Sequence, residues 1–162
     1  MQEHVNTAEV IGRNIDFLTI EAVTDSIPAQ KLSTFQQQRA GVTAGSVAKP
    51  TTFDISVSGC TGNPTQPTTI SSKFAGNSIT VGGNLGNVAT GTTAATNAEI
   101  QILDTAAAPI NFTTPFTASG DLTLATAADS ASATYTAQYI SEAGVATPGA
   151  VQASMQYAVS YN

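Results

Sequence analysis

The sequence has few charged residues: Asp, Glu, Lys and Arg make up 10 % of it, against roughly 25 % in an average soluble domain. Its five Lys and Arg residues are outnumbered by eleven Asp and Glu residues, and the formal net charge is −6. A chain without a basic patch offers little attraction to the phosphates of nucleic acids or to anionic membrane surfaces. Nucleic acid is therefore not an expected partner.

The residue types that most often carry catalysis are nearly missing. The single histidine, His4, and the single cysteine, Cys60, lie in unrelated segments, so they form neither a nucleophile–base pair nor a zinc site. The carboxylates occur singly rather than in close pairs. The glycine-rich segment 82–86 lacks the Lys and the following helix of a phosphate-binding loop, so we interpret it as a plain loop. The sequence predicts a protein that is not an enzyme and that binds no metal or cofactor.

Long apolar runs are missing as well. No segment approaches the roughly 20 consecutive apolar residues of a membrane-spanning helix. Residues 1–4 lack the basic and apolar regions of a secretory signal, so a secreted form would correspond to a mature chain behind an added Met. A single cysteine cannot form a disulfide within the chain. We favour a buried, apolar role for Cys60, with a leftover half-cystine as the alternative.

Alternating polarity is what the sequence has in place of charge. In residues 151–162 every odd position is apolar or aromatic, and every even position except Ala158 is polar. Because successive side chains of a strand point to opposite faces, this pattern predicts a half-buried β-strand that runs to the last residue. Further segments with strand-like patterns are 15–17, 18–22, 31–35, 52–60, 68–74, 98–104 and 131–140.

The connections between these segments are rich in Gly, Pro, Asn and Thr, and no segment has a helical period. We interpret 41–50 as a loop, 122–124 as a short strand or loop, and 76–96 as a long loop with short edge strands. Short strands joined by such turns predict an all-β sandwich or barrel, and the length suits one domain with a core. Core packing is the simplest role for Tyr135 and Tyr157.

Several predicted strands resemble those of one known family. Segment 133–139 (ATYTAQY), segment 144–151 (GVATPGAV) and a final strand with Tyr at the penultimate position resemble the C-terminal signature of type 1-like fimbrial subunits. These are pilins that Gram-negative bacteria assemble by the chaperone–usher route. Segment 53–60 (FDISVSGC) is similar to the family's strand that ends in its second Cys, and 98–104 (AEIQILD) to its IQILD-type strand. The resemblance extends from about residue 15 to residue 162.

The resemblance implies an incomplete immunoglobulin-like β-sandwich that lacks its last strand and is completed by a donated strand. It implies a pilin domain over residues 15–162, preceded by an N-terminal donor-strand arm over residues 1–14. In the arm, Ala8, Val10 and Gly12 share one parity and would face the acceptor groove of a neighbour. The side chains that would border that groove lie on the C-terminal strand: Val151, Met155, Tyr157, Val159 and Tyr161.

The sequence differs from the family pattern at one point. The family usually pairs its second Cys with a first Cys near the end of the first strand, but the matching region 17–20 contains none. Cys60 is therefore expected to be an unpaired cysteine.

For function, the resemblance implies a structural subunit of a fimbrium on the bacterial cell surface. The subunit would pass through the periplasm, polymerise by donor-strand exchange and support adhesion. The implied partners are neighbouring fimbrial subunits, a periplasmic chaperone and an outer-membrane usher, with a host glycan or protein as a receptor. The alternatives are a single-domain receptor-binding adhesin, a self-complemented capping pilin whose own arm fills its groove, and an unrelated extracellular β-sandwich.

Overall fold

The computed structural model describes residues 8–11, 18–21, 25–26, 43–147 and 149–161, with side chains described for 43–147 and 149–159. Every regular element in these ranges is a β-strand. The ten strands are β1 (Ala8–Ile11), β2 (Leu18–Glu21), β3 (Asp25–Ser26), β4 (Ser46–Ser58), β5 (Thr68–Gly76), β6 (Glu99–Leu103), β7 (Phe116–Leu124), β8 (Ala131–Ser141), β9 (Ala150–Val151) and β10 (Ser154–Tyr161).

The strands form two four-stranded sheets and one small ribbon. The first sheet has the order β1-β4-β8-β6, and the second has the order β2-β10-β5-β7. The short strands β3 and β9 pair with each other. Neighbouring strands run antiparallel, except that β1 is parallel to β4.

The core lies between the two sheets and is built from alternate residues of each strand. In β4, Ile55 and Val57 are buried whereas Asp54 between its apolar neighbours is exposed. The ring of Phe74 on β5 meets that of Tyr135 on β8 at 5.2 Å between centroids, which joins the two layers. Phe53 stacks on Tyr135 at 5.9 Å. Burial of each aromatic ring stabilises the fold by about 2 kcal/mol, and core packing of Tyr135 and Tyr157, each 1 % exposed, is confirmed.

Two strands are longer than the sequence pattern predicted. Ser46–Pro50 extends β4, since Ser46, Val47 and Ala48 pair with the end of β8 before a register shift that precedes Thr51. Residues 116–124 form a single strand, β7, where only 122–124 were candidates. In both cases a partner strand supplies the hydrogen bonds, and the irregular register hides the alternation in the sequence.

The other strand predictions are confirmed in outline. β5, β6 and β8 cover the predicted 68–74, 98–104 and 131–140 to within two residues at each end. Of segment 76–96, Gly76 ends β5, and residues 77–96 form only isolated bridges such as the one between Leu85 and Ile100. Of segment 15–22 the structure describes Leu18–Glu21, and segment 31–35 lies outside the described residues.

Candidate strand-accepting edge

The C-terminal strand β10 is the central feature of the second sheet. On one side it pairs with β5 over Met155–Tyr161. On the other side it pairs with β2 over Ser154–Tyr157, and Leu18, opposite Tyr157, is the first residue of β2 that the structure describes. The strand on this side of β10 thus comes from the N-terminal segment. The backbone N–H and C=O groups of β10 that β2 pairs with are ones that another strand could pair with in its place.

Four of the five predicted groove residues are buried or half-buried against the core. Val151, Met155 and Tyr157 are 0 %, 4 % and 1 % exposed, and Val159 is half-buried. The side chain of Tyr161 lies outside the described ones. The predicted single strand 151–162 is divided, because Val151 belongs to β9 whereas β10 begins at Ser154. The inward parity nevertheless continues through the break, since Ala153 is buried and Gln152 is exposed.

The hydroxyl of Tyr157 is a polar group in an apolar place. It is buried and has no hydrogen-bond partner among the described residues, as is also true of the hydroxyl of Ser72 on β5. Ser72 pairs with Val159, one inward position along from the Tyr157–Phe74 pair. Burial raises the pKa of Tyr157 because the phenolate would lose its hydration.

The structure places the predicted donor residues on the other sheet. Ala8 and Val10 lie in β1, where they are in register with Ile55 and Val57 of β4. Gly12 lies outside the described residues. Within a single chain, β1 and β10 therefore stand in different sheets, and the position beside β10 is held by β2.

Cys60 follows the end of β4. It is half-buried, packs against the core cluster, and has a free thiol. Its backbone N–H donates to the carbonyl oxygen of Asp129 at 2.9 Å, which ties the end of β4 to the start of β8. The sequence analysis favoured a buried, apolar position for Cys60, whereas the structure shows this residue only half-buried.

A pair of loops next to β10 is the feature that the sequence pattern missed. We use the name clasp for two segments that are hydrogen-bonded to each other. The first is the loop after β5, residues 77–97. The second connects β8 to the start of β10 at Ser154; it comprises residues 142–147 and 149–153 and includes β9. Backbone N–H groups of Asn77, Val88 and Ala95 donate to carbonyl oxygens of Ser154, Gln152 and Ala150 at 3.0, 2.8 and 2.9 Å. The segment that leads into β10 is thus held at three points.

Glu142 anchors one end of the clasp. Its carboxylate accepts hydrogen bonds from the Thr80 hydroxyl, the Asn84 side-chain amide and the Gly82 N–H. Burial alone would raise the pKa of Glu142, but these hydrogen bonds outweigh it and lower the pKa below its ordinary value. Two residues of the glycine-rich segment 82–86, Gly82 and Asn84, thus bind a carboxylate of the protein itself.

Glu99 is the neighbouring carboxyl group and is shifted in the opposite direction. Burial raises its pKa, and the negative charge of Glu142 raises it further. A hydrogen bond that Glu99 accepts from the Glu142 N–H at 3.1 Å acts in the opposite direction.

Among the described residues no group of three or more His, Cys, Asp or Glu side chains could hold a metal ion. No helix in that part of the chain is long and apolar enough to cross a membrane.

Comparison with known proteins identifies the family. Among solved structures, the chain is similar to a Burkholderia pseudomallei antigen and type I fimbria protein, with 19 % identity, a TM-score of 0.60, and coverage of 91 % of this chain and 100 % of that one. It is also similar to the CupB6 tip adhesin of Pseudomonas aeruginosa, with 16 % identity, a TM-score of 0.49, and coverage of 72 % of this chain and 31 % of that one. No curated protein matches the sequence.

At 19 % identity the similarity to the Burkholderia pseudomallei protein shows a common fold, and the predicted all-β, immunoglobulin-like sandwich is confirmed. A family model described as fimbrial protein matches residues 19–162. That family is structural and non-enzymatic, so the prediction that the protein is not an enzyme is confirmed as well. Because the match extends over nearly the whole chain, this protein belongs to the fimbrial protein family, as the resemblance of its strands predicted.

Proposed function

We propose that this fimbrial subunit polymerises by donor-strand exchange, in which the N-terminal arm of one copy (residues 1–14) pairs with β10 in the pilin domain (residues 15–162) of the next. The observation that carries the proposal is the side of β10 opposite β5, where a strand of the N-terminal segment, β2, pairs with β10 next to the buried Met155 and Tyr157. A strand from another copy that takes this place would complete the β10-β5-β7 sheet through backbone hydrogen bonds.

The inward face of β10 supports the same proposal. A strand added at this edge brings its alternate side chains next to Val159 and Tyr157, at the rim of an apolar core. In the arm, Ala8 and Val10 have the parity of such inward side chains. Donation from one copy to the next does not close on itself, so it produces an open filament.

The proposal includes the route to the cell surface. A periplasmic chaperone would cover the same edge of β10 before assembly, since an unpaired strand edge beside an apolar core promotes aggregation. An outer-membrane usher would then exchange the chaperone for the arm of the next subunit. In the assembled fimbrium the subunit would support adhesion.

Removal of residues 1–14 tests the proposal. The full chain is expected to form filaments or a ladder of oligomers in negative-stain microscopy and light scattering, and the shortened chain is expected to remain monomeric. Addition of the arm as a peptide should then produce a one-to-one complex. Filaments that persist without residues 1–14 would refute the role of the arm.

A matched pair of substitutions tests the parity of the arm in the full chain. Val10→Asp puts a charge at a position proposed to face the groove, and should abolish oligomers because a buried unpaired charge is costly. Glu9→Asp changes the neighbouring position without changing its charge, and should leave the oligomers intact. Equal behaviour of the two variants would show that Val10 does not face the groove.

One observation favours a second candidate, self-complementation. The chain's own β2, which follows the arm and lies in the pilin domain, already pairs with β10 in antiparallel register, with Leu18 opposite Tyr157. A subunit that fills its own edge in this way would cap a fibre instead of extending it. It would remain monomeric as its concentration is raised, whereas an exchanging subunit shows oligomers that increase with concentration.

A further inference from the structure

Within the clasp, the segment that leads into β10 is hydrogen-bonded to the loop after β5. Ala150 and Gln152 lie just before β10, and each forms backbone hydrogen bonds with the loop after β5. Ala150 accepts from the Ala95 N–H at 2.9 Å and donates to the Thr93 carbonyl at 2.7 Å. Gly149 lies so close to this loop that a Cβ there would overlap the backbone of Thr93 and Ala95. The two loops are therefore in direct backbone contact.

Asn87 is the side chain at the centre of the clasp. Its Nδ2 donates to the carbonyl oxygens of Ala95 at 2.9 Å and Ala150 at 3.1 Å. Its Oδ1 accepts from the N–H groups of Ala89 and Gln152, each at 2.9 Å. An Asn amide has two N–H donors and two acceptor lone pairs, so these four contacts use its full capacity. No other residue type offers the same pattern at this length.

The contacts of Asn87 reach from β9 into the break between β9 and β10. They hold Ala150 in β9 and Gln152 in the break itself, two residues before β10 begins at Ser154. In a strand, a slip of one residue exchanges the inward and outward faces. A slip of β10 would therefore turn Met155 and Tyr157 out of the core and present Gln156 and Ala158 inward.

We propose that Asn87 is a positioning residue for strand acceptance: by fixing Ala150 and Gln152, it sets the register in which β10 meets the incoming arm of a second copy of this chain. This inference depends on the proposed function for the identity of the arriving strand. Asn87 itself does not contact that strand. It acts through the two backbone groups that determine where β10 begins.

The experiment compares Asn87→Ala with a matched control, Asn63→Ala, in the full chain. Asn63 also accepts two hydrogen bonds, from the N–H and hydroxyl of Thr65 at 2.9 and 2.8 Å, but it lies between β4 and β5. That connection is at the other end of β8 from the clasp, as the pairings Val57–Ala131 and Ser46–Ser141 require. The urea concentration is adjusted until both variants have the same free energy of unfolding.

The first measurement is amide hydrogen exchange at matched stability. In Asn87→Ala we expect exchange at residues 150–157 to accelerate about tenfold or more, because the two bonds to Ala150 and Gln152 are lost. In Asn63→Ala we expect no local change there. Equal exchange at residues 150–157 in the two variants, or acceleration confined to residues 87–89, would overturn the proposal.

The second measurement is the fraction of chain in oligomers, at the same matched stability. Asn87→Ala should lower it several-fold, whereas Asn63→Ala should leave it unchanged. Asn87→Asp keeps the acceptor for Gln152 but places a carboxylate oxygen against the carbonyl oxygens of Ala95 and Ala150, and should lower the fraction at least as much as Asn87→Ala. If the unchanged chain forms no arm-dependent oligomers, the proposed function fails, and the exchange result alone then decides whether Asn87 positions β10.

Discussion

Tyr135 and Tyr157 are equally buried, at 1 % exposure each, but their hydroxyls differ in what they contact. The Tyr135 hydroxyl donates to the Asp121 carboxylate at 2.9 Å. Burial raises the pKa of Tyr135 and the bond to Asp121 raises it further, so the phenol stays protonated and remains a donor. The Tyr157 hydroxyl has no such partner in the described part of the chain.

Replacement of each tyrosine by phenylalanine should therefore have different effects. Tyr135→Phe removes a hydrogen bond to a carboxylate and should lower the free energy of unfolding by about 1–2 kcal/mol. Tyr157→Phe removes a hydroxyl without a partner and should be neutral or stabilising, within about 0.5 kcal/mol of the unchanged chain. Urea unfolding measures both values. A loss for Tyr157→Phe as large as that for Tyr135→Phe would show that the Tyr157 hydroxyl has a partner.

Glu142 and Glu99 should make opposite contributions to stability as the pH changes. The pKa of Glu142 is lowered in the folded state, so its contribution is present above the ordinary Glu pKa and is lost as the pH falls through the lowered value. The pKa of Glu99 is raised, so its contribution is present below the ordinary Glu pKa and is lost as the pH rises through the raised value.

Two glutamine variants test these signs. The destabilisation caused by Glu142→Gln should be largest near neutral pH and should shrink in acid, where the unchanged carboxyl group is also neutral. Glu99→Gln should become more favourable, relative to the unchanged chain, as the pH rises. Titration of the side-chain carboxyl carbons by NMR should give a pKa below the ordinary value for Glu142 and above it for Glu99. The reverse order would contradict the hydrogen-bond pattern described at the clasp.

Among the elements, β10 has both the clearest sequence pattern and the proposed functional edge. Its neighbours Gln156 and Tyr157 point to opposite sides of the sheet, one exposed and the other buried. The same substitution at these two positions therefore compares the two faces of one strand.

Gln156→Asp and Tyr157→Asp form that pair. Gln156→Asp should change the free energy of unfolding by no more than about 0.5 kcal/mol, because its side chain stays in water. Tyr157→Asp removes a buried ring and buries a carboxylate, and should cost about 4 kcal/mol or more, or prevent folding. The yield of folded chain and its urea midpoint measure this. Similar values for the two variants would mean that β10 does not have the register described.

Across the sandwich as a whole, the N-terminal segment contributes an edge strand to each sheet. β1 lies beside β4 in one sheet, and β2 lies beside β10 in the other. Both pairings are β-ladders, and a strand from another copy with suitable alternation could form the same backbone hydrogen bonds in their place. Under the proposed function, donation and self-pairing would compete, and the balance would depend on the effective concentration of the chain's own segment against that of its neighbours.

Much of this architecture could be predicted from local pattern. Alternation of period two predicted the all-β class and the inward residues, such as Ile55 and Tyr157, because strand geometry imposes that period on any half-buried strand. The shortage of His, Cys and clustered carboxylates predicted a protein without catalysis. These properties depend on neighbours in the sequence, or on composition alone.

The arrangement of the site could not be predicted in this way. Asn87 and Gln152 are 65 residues apart in the sequence, and Thr80 and Glu142 are 62 apart. Their hydrogen bonds have no local period, and a Gly- and Asn-rich segment is equally compatible with a loose loop. The pairing of Ser46–Pro50 with β8 is hidden for a similar reason, since its register shift interrupts the alternation. Local chemistry thus determined the strands and their faces, whereas the choice of partners depended on contacts that exist only once distant segments have come together.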